Sequence, residues 1–96
     1  MQTAIREISP PQAQQRHAAG ATLIDVREQV EWDAGHIPGA VFIPLGQLGQ
    51  EIGAAVPDKD TEIIMQCRSG ARSGRGTAQL QELGYTNVVN LSLIHI

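Results

Sequence analysis

Ile63-Ile64-Met65-Gln66-Cys67-Arg68-Ser69-Gly70-Ala71-Arg72-Ser73 is the stretch on which the reading of this chain turns. Its apolar opening, Ile63-Ile64-Met65, has the composition of a buried strand. A helical segment follows, from Ala71 to Leu83, with Gly76, Leu80 and Leu83 on one face and Gly84 as the stop signal. The single cysteine therefore falls where a strand hands over to a helix start. At such a junction several backbone N–H groups lack a helical partner, and the helix dipole adds partial positive charge. Both effects stabilise a thiolate and any anion bonded to its sulfur. Arg68 and Arg72 bring full positive charge to the same place. A lone cysteine is ordinarily a buried core residue. The preceding strand, the glycine-bearing loop and the two arginines argue for a site instead.

The charge distribution agrees. The chain carries a net charge of −3, which argues against a nucleic-acid surface. From Ile63 to Gln81 there is no acidic residue, yet Arg68, Arg72 and Arg75, three of the seven basic residues, all lie there. A small anionic substrate fits that pattern better than a broad anionic partner. Ninety-six residues make one small domain, and a 42% hydrophobic content is that of a folded chain. One cysteine forms no internal disulfide, Met1 to Glu7 contains no secretory apolar core, and no apolar run approaches the ~20 residues of a membrane span. The expectation is a cytoplasmic protein without membrane contact.

Outward from the central stretch, strand and helix patterns alternate. Ala4–Ile8 reads as an opening strand, and Ser9-Pro10-Pro11-Gln12 as a capped helix start, with the helix running to Ala19 before Gly20. Ala21–Val26 reads as a buried parallel strand with Asp25 near its carboxyl end, where ligands gather in open α/β sheets. Asp25 either serves the site or has a structural role, capping local backbone or pairing with an arginine. Arg27 and Glu31 follow on a short helical turn as i,i+4 neighbours, with Val30, Trp32 and Ala34 as its apolar contacts. His36, inside Gly35-His36-Ile37-Pro38-Gly39, is expected to fix the turn by a hydrogen bond rather than to act as a base. Val41–Ile43 is a short strand; Leu45, Leu48, Ile52 and Val56 mark one helical face; Asn87–Leu91 is a last strand. This order gives an α/β/α sandwich around a mostly parallel sheet.

Two stretches resemble a rhodanese domain: Asp25-Val26-Arg27-Glu28 with Glu31 and Gly35-His36-Ile37-Pro38-Gly39-Ala40, and Cys67-Arg68-Ser69-Gly70-Ala71-Arg72-Ser73 with Gly84-Tyr85. The likeness covers residues 1–91. It implies a five-stranded parallel sheet and sulfurtransferase activity through a cysteine persulfide. By position Cys67 is the sulfur carrier, Arg68, Ser69, Gly70, Ala71 and Arg72 form the cradling loop, and Arg27, Glu31 and His36 are framework positions. Residues 92–96 depart from the family pattern. Together with Leu91 they read Leu91-Ser92-Leu93-Ile94-His95-Ile96, one translation frame of a transposon-library adapter, and are expected to be foreign to the gene.

The chemistry implied is a two-step covalent transfer. Cys67 takes sulfur from thiosulfate or a similar small anionic donor, and a thiol, cyanide or a protein acceptor removes it. A carrier or sensor module that docks on a partner needs the same residues. A phosphatase or arsenate reductase needs one more residue between the cysteine and the arginine; here the spacing is Cys67-x4-Arg72, too tight for a tetrahedral phosphate. No metal or organic cofactor is expected, because three scattered histidines and one cysteine lack ligand spacing and Gly70-x3-Gly74-x-Gly76 is not a phosphate loop.

Overall fold

A computed structural model describes residues 7–66 and 71–91 of the chain. Five strands, β1 (Glu7–Ile8), β2 (Thr22–Asp25), β3 (Val41–Phe42), β4 (Ile63–Gln66) and β5 (Val88–Leu91), form one sheet in the order β1-β5-β4-β2-β3. Every pairing in it is parallel. Four helices connect the strands: α1 (Pro10–Ala18), α2 (Gln29–Ala34), α3 (Leu48–Ala55) and α4 (Ala71–Glu82), with a 3-10 turn over Leu45–Gln47 leading into α3.

The central strands read as unbroken apolar runs because both faces of the sheet are covered. Alternate side chains divide between two cores. Ile24, Ile63, Met65 and Val88 join Leu48 and Ile52 of α3 and Leu80 of α4. Leu23, Ile64 and Val89 join Ala13 of α1 on the opposite face. Phe42, in register with Asp25 and so on the Leu23 side, stacks on Trp32 of α2 with centroids 4.9 Å apart. Helices α1 and α2 thus cover one face and α3 and α4 the other. This is the three-layer sandwich that the sequence predicts.

Local chemistry sets the helix ends. Ser9 caps α1 in a capping box, with its hydroxyl accepting from the Gln12 N–H and the Gln12 side chain accepting from the Ser9 N–H. The chain leaves α1 through Gly20 (φ 117°) and α4 through Gly84 (φ 99°), left-handed conformations that only glycine adopts freely. Four expectations need correction. The 3-10 turn occupies the first three residues of the region read as one long α-helix. Val30, 73% exposed, and Ala34, also exposed, are not packing contacts. The α2 helix is short and has no fully buried residue; it meets the sheet through the half-buried Trp32, which stacks on Phe42, and residues two apart on a helix lie on opposite sides. Leu83 is likewise 40% exposed, because it follows the last helical residue and the chain turns away at Gly84. Ile43 is buried but lies past β3, whose ladder Pro44 closes. Residues 4–6 of the expected opening strand, and the tail 92–96, lie outside the described residues.

Candidate active site

Strands β2 and β4 are neighbours in the sheet, yet the helices that follow them pack on opposite faces. Such divergence opens a crevice outside the carboxyl ends of the two strands, the place where open α/β sheets hold ligands. Asp25 ends β2 and Gln66 ends β4, and the two are in register. Strand β4 therefore ends at this crevice; Cys67, Arg68, Ser69 and Gly70, which follow Gln66 in sequence, lie outside the described residues.

The β2 side of the crevice is held by charge. Asp25 has no exposed surface, and an isolated buried carboxylate costs several kcal/mol. Arg27 answers it. Its Nε donates to both carboxylate oxygens at 2.9 and 3.0 Å, its Nη2 stands 2.8 Å from Oδ2, and its backbone N–H donates to Oδ1 at 3.0 Å. The same Nη2 donates to the Gly35 carbonyl at 2.7 Å, tying the far end of α2 back to β2. Of the two readings open for Asp25, the structure therefore displays the arginine pair. Arg27, Glu31, Ala34 and Gly35 line an open concavity of about 290 Å³ beside it.

His36 is a fixed part of the turn. Its ring lies flat on Trp32, with centroids 3.5 Å apart and planes 1° apart, and its Nδ1 is 2.9 Å from the Trp32 carbonyl. That nitrogen can only bond the carbonyl as a donor, which assigns the proton to Nδ1. Glu31 accepts from the Glu28 N–H at 2.8 Å and closes the first turn of α2. The framework roles implied for Arg27, Glu31 and His36 match these contacts.

The β4 side is held by backbone. The Gln66 carbonyl accepts from Val26 N–H at 3.0 Å, and Ile43 N–H donates to the Asp25 carbonyl at 3.0 Å, so three strand ends are laced together. Gln66 was not anticipated from sequence: its Oε1 is buried and has no hydrogen-bond partner among the described residues, and a single polar residue ending a strand gave no signal of that. Ala71 and Arg72 are the first two residues of α4, and the Arg72 side chain lies outside the described set. The first turn of α4 carries no acidic residue, so nothing there offsets the positive end of its dipole. This helix is seated closely. At Gly76 an added Cβ would stand 2.8 Å from Met65 Cε and 3.2 Å from Leu48 Cδ2.

Among the described residues no three His, Cys, Asp or Glu side chains gather as a metal site, and no helix is long and apolar enough to cross a membrane.

A family model described as "Rhodanese-like domain" matches residues 9–93. The thiosulfate sulfurtransferase PspE of Escherichia coli (strain K12) is 40% identical over 67 residues, a match that takes in 70% of this chain and 64% of that protein. The chain therefore spans somewhat less than two thirds of that relative's length. The thiosulfate sulfurtransferase GlpE of Pseudomonas fluorescens (strain SBW25) is 34% identical over 86 residues, 90% of this chain and 77% of the relative. Among solved structures, the human single-domain sulfurtransferase TSTD1 superposes with a TM-score of 0.79 at 31% identity, over 92% of this chain and 89% of that one.

Proposed function

The chain belongs to the rhodanese-like domain family, and from that premise we propose that it is a sulfurtransferase that carries sulfane sulfur as a persulfide on Cys67. The Cys67 thiolate attacks the outer sulfur of thiosulfate; the S–S bond of the donor breaks and sulfite leaves with the bonding pair. The product, Cys67-S-S⁻, carries the same single negative charge as the thiolate. Backbone N–H groups of residues 68–72 hold the terminal sulfur, in the manner of an oxyanion hole. Arg68 and Arg72 hold the sulfonate end of the donor. An acceptor nucleophile then attacks the terminal sulfur and restores the thiolate. Cyanide would leave as thiocyanate, and a thiol as its own persulfide.

The observation that supports this reading best is that β4 ends at the crevice and that α4, which follows it in sequence, has no acidic residue in its first turn. That electrostatic setting lowers a cysteine pKa from its ordinary ~8.5 and favours an anion one atom longer equally well. The deciding experiment compares wild type with Cys67→Ser for thiocyanate production from thiosulfate and cyanide, with intact mass recorded after thiosulfate alone. Wild type is expected to gain one sulfur atom and to turn over, and Cys67→Ser to do neither while remaining folded. A gain of sulfur without turnover identifies a carrier module. Equal turnover by both proteins refutes the assignment.

A further inference from the structure

Arg75 lies outside the cradling loop, on the second turn of α4, and the mechanism above gives it no task. Gly76, Thr77 and Leu80 turn α4 toward the sheet, whereas Arg75 is exposed. The ion pairs among the described residues join Arg16 to Glu62 and Arg27 to Asp25; Arg75 is in neither. No acidic residue lies within the sequence from Ile63 to Gln81, and α4 has none in its first turn. An arginine commonly gains from an acidic neighbour three or four residues away on its helix, and here those positions hold Ala71, Arg72, Ala78 and Gln79. Its charge is left to solvent in a chain whose net charge is −3.

We infer that Arg75 is a steering residue for the anionic sulfur donor, raising the local concentration of a dianion at the carboxyl-end crevice without touching the reacting atoms. The inference rests on the sulfurtransferase reading. At ~1.5 Å of rise per residue, its Cα stands roughly 6 Å along the axis from the start of α4. That is inside the ~8 Å screening length at physiological ionic strength, so an exposed charge there still acts on an anion at the helix start. A positive charge one helical turn beyond Arg72 enriches the donor by an amount that grows with donor charge and vanishes in high salt.

The test measures kcat/KM for persulfide formation on wild type, Arg75→Gln, Arg75→Glu and Arg16→Gln across ionic strength. Two donors are used, dianionic thiosulfate and a monoanionic alkyl thiosulfonate. Arg16 is paired with Glu62, which precedes β4 at the opposite edge of the sheet, and its substitution makes the same change in net charge as Arg75→Gln. At low salt Arg75→Gln is expected to lose about 2–5-fold with thiosulfate, and Arg75→Glu more. The loss with the monoanion should approach the square root of that factor. All differences should fade by about 0.5 M salt, and Arg16→Gln should follow wild type. Equal losses with both donors, or losses that persist in high salt, overturn steering while leaving the sulfurtransferase reading in place. A wild-type protein that accepts sulfur from neither donor overturns both.

Discussion

Replacing Asp25 with Asn tests what holds the crevice together. The substitution keeps the side-chain shape and leaves an oxygen for the Arg27 N–H, but removes the negative charge that faces the guanidinium. The carboxylate side chain is 0% exposed and the Arg27 side chain only 14%, so water cannot replace the lost partner. Breaking a buried pair by removing one partner costs about 3–5 kcal/mol. The Gly35 carbonyl at 2.7 Å remains as an acceptor and the Asn amide oxygen stays as a second. A loss at or somewhat below the bottom of that range, about 2–3 kcal/mol, is therefore expected for Asp25→Asn. In a domain of this size each kcal/mol corresponds to roughly 4–8 °C, so the melting temperature should fall by about 10–20 °C. Urea unfolding followed by circular dichroism measures the loss directly, with an unchanged slope as the sign that the two end states are the same. Arg27→Met should also destabilise, since it strands the carboxylate. The double variant should be more stable than the sum of the two losses predicts, by more than about 1 kcal/mol. Additive single losses, or an Asp25→Asn protein within about 0.5 kcal/mol of wild type, would refute the claim that this pair secures β2 at the crevice.

Other substitutions probe the packing around the site. The Tyr85 hydroxyl donates to the Val56 carbonyl at 2.6 Å in the buried core, so Tyr85→Phe should cost about 1–2 kcal/mol by chemical denaturation; no loss would mean that the bond contributes nothing net. Gly53 is helical, with nothing within 4 Å of an added Cβ, whereas the same carbon at Gly76 meets Met65 and Leu48. Gly53→Ala should accordingly raise stability by about 0.5–1 kcal/mol and Gly76→Ala should lower it by about 1–2, and a gain at both positions would show that α4 is not closely seated. Arg72→Ala should reduce kcat/KM for thiosulfate by an amount on the order of 1–3 kcal/mol, the worth of a charge-assisted contact, and unaltered thiosulfate kinetics would remove Arg72 from the site.

How much of this could be read from sequence differs by residue, for physical reasons. The central strands were legible because burial on both faces leaves continuous apolar runs, and Ile63-Ile64-Met65 shows this in the way Ile64 goes to one core and its two neighbours to the other. Ser9 and Gln12 were legible because a capping box is a purely local bargain between side chain and backbone. Val30 and Leu83 were misjudged because apolar character does not say which side of a short helix, or of a helix end, will meet the sheet. Gln66 could not be anticipated, since whether a polar residue at a strand end is buried depends on what packs over it. The same limit applies to the crevice. Sequence order placed Asp25 and Cys67 at strand ends, but not that β2 and β4 are adjacent, nor that α2 and α4 leave them on opposite faces. Those are long-range facts, fixed by two separate cores, and they turn a pair of strand ends into a binding edge. Residue chemistry thus proposes a nucleophile and its arginines, while topology accounts for why a ligand would meet a site at that edge.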